Sequence, residues 1–395
     1  MAAFDRILSG IPEMDQALDN IRLGDNVVWR VSHLQEFRYF CEPYVEQAIK
    51  DRRNIIYFRV SSHEPLVKED SEVKRIEIPL SHQFENFTVE IHKVIEREGF
   101  DAFYVFDCLS ELQTAWATDL MMGNFFRVTC PFLFSLDTVA FFPIIRGKHS
   151  FHAVKKILNT TQLLLDVYSD PKNIYVRPAK VWNRDSETMF LPHIYKKEMG
   201  TFRPIRDGVQ SSRFYQILGK FQRPGEEQFT DSWDRFFNTA KMLYDNHMNT
   251  DEACNTMCDI MMTRDPKMRL MVKKHFTPED YFSVRNHMIG TGMIGGKACG
   301  MLLSRAIVRN LAPDINEVLE PHDSFFIGSD VYYTYIVDNG FWDIRVRQRE
   351  EKEYFSLAEE FAQRLKNGVF SEEMENQFLH ILEYYGQDPF IVRSS

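Results

Sequence analysis

The stretch Ile289–Leu303 reads I-G-T-G-M-I-G-G-K-A-C-G-M-L-L, a glycine-rich turn followed by an apolar helical pattern. Four glycines precede Lys297 in this stretch: Gly290, Gly292, Gly295 and Gly296. Glycine lets backbone N–H groups turn toward an anion, and a following helix adds its positive N-terminal end. One lysine at that point supplies a full positive charge. The stretch therefore predicts a phosphate-binding turn, for a nucleotide.

Other interpretations of the same glycines compete with this one. The first three fit the dinucleotide fingerprint G-x-G-x-x-G, and Asp314 follows at about the right distance in sequence for a ribose contact. However, the preceding residues Tyr281–His287 make a poor buried strand. The P-loop pattern G-x-x-x-x-G-K-[ST] fails because its positions are occupied by Thr291 and Ala298. A turn that merely begins a helix and leaves Lys297 in solvent explains these residues equally well.

The last residues of the sequence add a second motif. Pro389–Ser395 reads P-F-I-V-R-S-S, which predicts an apolar strand that ends in Arg393 and two hydroxyl side chains. Together, G-G-K-A-x-G at 295–300 and V-R-S-S at the chain end resemble the nucleotide-binding region of the phosphoenolpyruvate synthase and pyruvate phosphate dikinase family. The segment F-F-I-G-S-D-V-Y-Y at 325–333 is similar to the strand-then-helix segment of that family.

This resemblance covers residues 286–395 and implies the first half of an ATP-grasp domain, of α+β structure. In that family the matching lysine and arginine contact the phosphates of ATP. The resemblance therefore implies that Lys297 and Arg393 bind nucleotide, and that Gly295 and Gly296 allow close approach of the backbone. Lysine supplies a point charge, whereas arginine supplies a planar fork that can bind two phosphate oxygens.

The resemblance also implies an activity. In that family ATP phosphorylates a histidine on a later domain, which passes the phosphoryl group to pyruvate or another acceptor. ATP and Mg²⁺ are the implied cofactors, with the metal ligands and later domains expected beyond Ser395. We therefore expect this chain to be the N-terminal part of a kinase-like transferase. By itself it is expected to be inactive, because positioning and metal neutralisation supply nearly all the catalysis of phosphoryl transfer.

The first half of the chain alternates strands and helices. Continuous apolar strands at Asn26–Ser32, Ile55–Ser61 and Ala102–Asp107, separated by amphipathic helices, predict an α/β fold with a mainly parallel sheet. Further strands, the later ones antiparallel, are predicted at Val73–Ile78, Phe132–Ser135, Thr138–Ile144, Gln162–Val167 and Asn173–Trp182.

This half has a resemblance of its own. S-G-I-P-E-M-D-Q-A-L at 9–18 and D-C-L-S-E-L at 107–112 resemble RecA-type ATPases of the circadian-clock KaiC group. In that family the first strand leads into a phosphate-binding glycine loop with a lysine, but S-H-L-Q-E-F at 32–37 contains neither residue. Asp107 keeps the place of the Walker B carboxylate, and without the loop we expect it to cap the following turn. The resemblance implies a degenerate RecA-like domain that serves as a scaffold, a regulatory module or a dimerisation surface.

The composition predicts how the chain is divided. Residues 198–230 are rich in Gly, Pro, Arg and polar side chains, which is typical of a linker. Residues 231–285 follow with helical apolar spacing. The predicted organisation is therefore a RecA-like domain at 1–197, a linker, a helical segment, and the nucleotide-binding part at 286–395.

Charge and composition exclude several classes of protein. The net charge of -10 over 395 residues argues against nucleic acid or an acidic membrane surface as the main partner. No apolar run approaches the roughly 18 residues of a membrane span, and the first residues lack a signal-peptide pattern. Six scattered cysteines are typical of reduced thiols, so we expect a cytoplasmic protein, open to homo-oligomer formation.

Two alternatives to the transferase interpretation remain open at this point. In the first, the protein is a non-catalytic regulatory or assembly protein whose nucleotide folds are both relics. In the second, it is a RecA-like ATPase that works through Asp107. That second alternative predicts nucleotide binding that survives removal of residues 230–395.

Overall fold

The structure is a computed structural model that describes residues 5–61, 63–69, 72–79, 83–116, 118–221, 229–350 and 352–394. The chain divides into two compact units. The first unit contains Met1–Ala115 and Met122–Asp231, and the second contains Trp116–Met121 and Ser232–Ser395. None of the described helices is both long enough and apolar enough to cross a membrane.

Strands and helices alternate along the first unit. Its described strands are Arg6–Ile7 (β1), Ile21–Arg22 (β2), Asn26–Val31 (β3), Ile55–Arg59 (β4), Val73–Glu77 (β5), Phe103–Phe106 (β6), Val139–Ile145 (β7), Leu163–Ser169 (β8), Ile174–Val181 (β9), His193–Lys196 (β10) and Thr201–Pro204 (β11). The α-helices up to residue 220 are Pro12–Leu18 (α1), Leu34–Lys50 (α2), Phe84–Glu98 (α3), Gln113–Trp116 (α4), Leu120–Ser135 (α5), Phe151–Thr160 (α6) and Gly208–Lys220 (α7).

Nine of the described strands form one sheet in the order β11-β10-β9-β8-β3-β7-β6-β4-β5. The neighbours from β8 to β5 in this order pair in parallel. At the other end β8, β9, β10 and β11 pair antiparallel. The predicted α/β class with a mainly parallel sheet is confirmed by this topology. The observed strands begin and end close to their predicted bounds, because continuous apolar runs are typical of strands covered on both faces.

Aromatic side chains fill the core between the sheet and α2. Trp29 on β3 stacks on Phe40 of α2 with ring centroids 4.4 Å apart. Tyr44, one turn further along α2, stacks on Phe141 of β7 at 3.9 Å, and its hydroxyl donates to the backbone carbonyl of Val139. These contacts fix α2 across the two central strands, so the first turn of α2 lies at the carboxyl end of β3.

One of the strands predicted in the first half of the chain is wrong. Phe132–Ser135 forms the last turn of helix α5. Its short apolar sequence does not distinguish a strand from a buried helix, because only the longer spacing carries that information. The spacing of the buried residues Phe126, Cys130 and Leu133 is helical, which explains the observed structure.

The linker prediction also differs from the structure for residues 198–221. Strand β11 extends the sheet by pairing with β10, and α7 buries Phe214 against Tyr168 and Tyr175, with ring centroids 5.7 and 5.8 Å apart. The polar and basic residues that suggested a linker occupy the exposed side of α7. Residues 222–228 of the predicted linker lie outside the described residues.

This packing predicts a clear difference between two neighbouring aromatic residues. We expect Phe214→Ala to lower the free energy of unfolding by about 3–5 kcal/mol, because it removes a fully buried ring from the sheet. Tyr215→Ala is the matched control, since Tyr215 is 61% exposed. Chemical denaturation of both variants measures the difference. Equal stability of the two variants would show that residues 198–221 behave as a linker after all.

The second unit is mainly helical. Its α-helices, from residue 232 onward, are Ser232–Asp245 (α8), Asp251–Met257 (α9), Pro266–His275 (α10), Pro278–Asn286 (α11), Gly296–Leu311 (α12), Pro313–Val318 (α13), Ser329–Asp338 (α14), Trp342–Gln348 (α15), Ala358–Asn367 (α16) and Glu372–Tyr385 (α17). Two short parallel strands, Met288–Ile289 (β12) and Phe326–Ile327 (β13), pair with each other. The predicted helical segment at 231–285 therefore contains α8 to α11.

The strand predicted at Pro389–Ser395 is absent from the described part of that segment. Residues 389–394 have no regular secondary structure, and Ile391 and Val392 are largely exposed. The apolar sequence predicted a buried strand, but no described strand pairs with these residues. Ser395 lies outside the described residues.

Candidate phosphate-binding site

The glycine-rich turn connects β12 to helix α12. Strand β12 pairs in parallel with β13, and α14 begins two residues after β13 ends. Because the strands are parallel, their carboxyl ends lie at the same edge, and the helices that follow them begin near that edge. Helix N-termini carry unpaired N–H groups and a partial positive charge. This edge therefore has the properties of an anion-binding surface.

Two glycines give the turn its shape. Gly290 has φ of +68°, and a Cβ atom there would lie 2.5 Å from Oδ1 of Asp330. Gly295 has φ of +89° and immediately precedes the first residue of α12. Both backbone conformations are strained for any residue with a side chain. The chain therefore turns toward α12 at Gly290 and Gly295, where glycine is needed for the backbone conformation.

A buried carboxyl group holds the turn against α14. Asp330 accepts hydrogen bonds from the backbone N–H of Thr291 at 2.8 Å and from its hydroxyl at 2.6 Å. Ser329 adds a backbone N–H bond to the Met293 carbonyl at 3.1 Å. Burial raises the pKa of Asp330 to about 6, against the opposing effect of the bonds from Thr291. No local motif marks Thr291 or Asp330 as part of a site, because the two residues lie 39 positions apart in the sequence.

Lys297 lies on the first turn of α12 and is exposed. Its Nζ donates a hydrogen bond to the backbone carbonyl of Ser394, 97 residues further along the chain, at 2.6 Å. Arg393, the neighbour of Ser394, is also exposed. The structure thus brings the glycine-lysine motif and the V-R-S-S motif together, although neither their spacing nor their composition required that contact.

The remaining predicted residues differ in their surroundings. Gly296 is the first residue of α12, is exposed, and has no atom within 4 Å of the place where a Cβ would stand. Cys299 is buried, and burial raises the pKa of its thiol. Open space over Gly296 leaves the N-terminal backbone of α12 accessible, whereas Cys299 belongs to the core of the unit.

In the first unit, a buried carboxylate lies between β3 and α2, where the resemblance to RecA-type ATPases would place a phosphate loop. Glu36, in the first turn of α2, is buried and accepts a hydrogen bond from the backbone N–H of Ser32 at 2.7 Å. Its other oxygen accepts a bond from the Ser169 hydroxyl at 2.5 Å. Glu36 therefore takes the N-terminal end of α2, where an anionic ligand would otherwise bind.

Asp107 is fully enclosed by donors from its own unit. One oxygen pairs with the Arg59 guanidinium at 2.6 Å, and the other lies 2.9 Å from Nε2 of His63. The backbone N–H groups of Val60, at 3.2 Å, and Cys108, at 3.0 Å, also donate to it. Burial alone would raise the pKa of Asp107, but the hydrogen bond and charge of His63 and the charge of Arg59 hold it below its usual value. Of these contacts, the bond from Cys108 is the one to the following turn, and the others come from the end of β4 and the residues after it.

Comparisons with known proteins give little further information. The chain matches no protein-family model and no curated protein. It is similar to a solved structure of the ATPase domain of a helicase, with a TM-score of 0.39 and 10% sequence identity. The match covers 52% of this chain and 93% of that one. A TM-score this low supports no argument about function, and the α/β class rests on the topology of the sheet.

The buried carboxyl of Asp330 predicts a pH-dependent stability. Between pH values of about 4 and 6 the folded protein keeps a proton that the unfolded chain has released. Stability should therefore fall as pH rises through this window, by about 3 kcal/mol in total. In the variant Asp330→Asn the side chain cannot titrate, so its free energy of unfolding should fall by about 3 kcal/mol less over this pH window. Chemical denaturation at several pH values measures the difference.

The comparison needs a control at an acid of the same type. Asp343 is exposed on α15, so Asp343→Asn shows what the loss of one surface carboxyl group does to the denaturation result. Identical profiles for Asp330→Asn and Asp343→Asn would contradict the buried, proton-retaining carboxyl described here. Other acids contribute equally to all three proteins and cancel in the differences.

Proposed function

We propose that residues 286–395 bind the phosphates of ATP as part of a phosphotransferase that resembles the phosphoenolpyruvate synthase and pyruvate phosphate dikinase family. The observation that carries the proposal is the hydrogen bond between Lys297 and the carbonyl of Ser394. It joins the two motifs on which the resemblance depends. The contact is made by the cation of the first motif and by the residue that directly follows Arg393 in the second.

The chemistry of this surface suits a polyphosphate. Lys297 supplies a point charge, and Arg393 supplies a fork that can bind two phosphate oxygens. The accessible backbone at Gly296 lets N–H groups of the helix N-terminus approach the ligand directly. The Thr291–Asp330 bonds hold the turn in one conformation, so little ordering is needed when a ligand binds.

A magnesium ion that accompanies ATP takes most of its ligands from phosphate oxygens and water. No group of three or more His, Cys, Asp or Glu side chains is placed to hold a metal ion among the residues that the structure describes. The proposal therefore assigns phosphate binding to these residues and gives them no role as metal ligands. Transfer to a histidine and then to pyruvate or another acceptor, in the cytoplasm, is the reaction class that the resemblance suggests.

The first unit has a different role in this proposal. Glu36 occupies the N-terminus of α2, where a nucleotide phosphate would bind. Asp107, which would bind the metal, is already paired with Arg59 and His63. These contacts favour a scaffold or regulatory role for the first unit; in the alternative function, a non-catalytic regulatory or assembly protein, the nucleotide folds of both units are relics. The same contacts oppose an ATPase that works through Asp107.

Calorimetry with Mg-ATP tests the location of the site. We expect Lys297→Ala and Arg393→Ala each to weaken binding roughly 10- to 100-fold, as loss of a charge-assisted hydrogen bond would do. Arg364→Ala is the charge-matched control, because Arg364 pairs with Glu360 on exposed α16. Asp107→Asn should lower stability and leave nucleotide affinity unchanged. Binding that depends on Asp107 and ignores Lys297 and Arg393 would contradict the proposal.

The open space over Gly296 offers a second test. The variant Gly296→Ala adds a methyl group that meets no protein atom, so the melting temperature should stay equal or rise slightly. If phosphate lies against this backbone, the same methyl group should weaken Mg-ATP binding about tenfold. Gly219→Ala is the control, because a Cβ at Gly219 in α7 also meets no atom of the residues that the structure describes. Unchanged affinity in Gly296→Ala would remove the backbone from the binding site.

A further inference from the structure

The second unit contains a cavity of about 310 Å³ at the end of α12 away from the glycine turn. Its walls come from α11, α12, β13 and the segment that precedes β13. Arg305, on α12, is eight residues beyond Lys297, which corresponds to roughly 12 Å of helix. His287 directly precedes β12. The cavity is therefore separate from the candidate phosphate site. The two lie toward opposite ends of α12 and of the strands β12 and β13.

The cationic side chains of the cavity outnumber its acids. Arg309 is neutralised by Asp280, which accepts two hydrogen bonds from it at 2.7 Å each. Asp280 is the one carboxylate among the described residues that line the cavity. Arg305 donates to the backbone carbonyl of Glu320 at 2.9 Å, a contact that leaves its positive charge in place because a carbonyl carries no net charge.

Two histidines, His287 and His322, also line the cavity. Nδ1 of His287 donates to the Ser283 carbonyl at 2.8 Å, which leaves its Nε2 available for another partner. His322 lines the same cavity as Arg305 and His287. Three nitrogen-bearing side chains from separate segments thus meet at one cavity, whose single described lining acid is already paired with Arg309.

We propose that this cavity binds a small metabolite with a compact oxyanion, phosphate or carboxylate, that contacts Arg305, His287 and His322. An arginine flanked by neutral or protonated imidazole matches the oxygens of either group. The volume exceeds that of inorganic phosphate and leaves room for a short carbon frame. Phe276 and Phe326 supply apolar wall for that frame. This site would bind a ligand other than ATP, which the proposed function places at the glycine turn.

Calorimetry on the full chain tests the site with three probes: inorganic phosphate, glycerol 3-phosphate and malonate. At least one probe should bind in a 1:1 ratio with a Kd below about 10 mM. Preference for glycerol 3-phosphate identifies a phosphate ester, and preference for malonate identifies a carboxylate. Failure of all three probes to bind would overturn the proposal.

Variants then locate the binding. Arg305→Ala and His322→Gln should each weaken the bound probe at least fivefold, whereas Arg364→Ala should leave it unchanged. His322 is exposed in a segment without regular structure, so His322→Gln keeps the test valid even if Arg305→Ala disturbs the fold. Binding that is lost in Lys297→Ala and kept in both cavity variants would assign the anion to the glycine turn and overturn the proposal.

Discussion

The parallel pairing of β12 with β13, fixed by the hydrogen bonds from Thr291 to Asp330, is the interaction on which the candidate site depends. The two strands are only two residues long, so their ladder alone would hold the glycine turn weakly. A buried carboxyl that accepts both a backbone and a hydroxyl hydrogen bond adds a specific, directional contact. It sets the direction of α12, and with it the position of Lys297 and the exposed backbone at Gly296.

Both units place helix N-termini at the carboxyl ends of parallel strands, but they use this geometry in opposite ways. In the first unit the protein supplies its own anions: Glu36 satisfies the first turn of α2, and Asp107 is surrounded by cations and N–H groups. In the second unit the corresponding surface carries exposed cations and an accessible backbone. A site already filled by a buried carboxylate resists a phosphate ligand, because that carboxylate would first lose its hydrogen bonds. This difference is the reason for proposing a ligand site in the second unit and a supporting role for the first.

The sequence predicted the parallel part of the sheet well because long apolar strands and amphipathic helices carry their own periodicity. It failed at Phe132–Ser135, where four apolar and small residues fit either structure. Residues 198–221 suggested a linker because most of their side chains are polar. Composition alone does not show that a few apolar residues, such as Phe214, are buried. In the candidate site, local motifs identified the glycines and Lys297. The Thr291–Asp330 pair and the contact with Ser394 join residues 39 and 97 positions apart, and such contacts depend on the fold.

Hydrogen–deuterium exchange of the full chain, with and without Mg-ATP, tests most directly whether the nucleotide binds at the glycine turn. Bound phosphate would engage the backbone N–H groups at the start of α12 and slow their exchange. The account predicts slower exchange in peptides that cover residues 290–300 and 388–394, with no change at residues 32–40. Slower exchange at residues 32–40 and around Asp107, with the glycine turn unchanged, would place the nucleotide in the first unit and contradict the account.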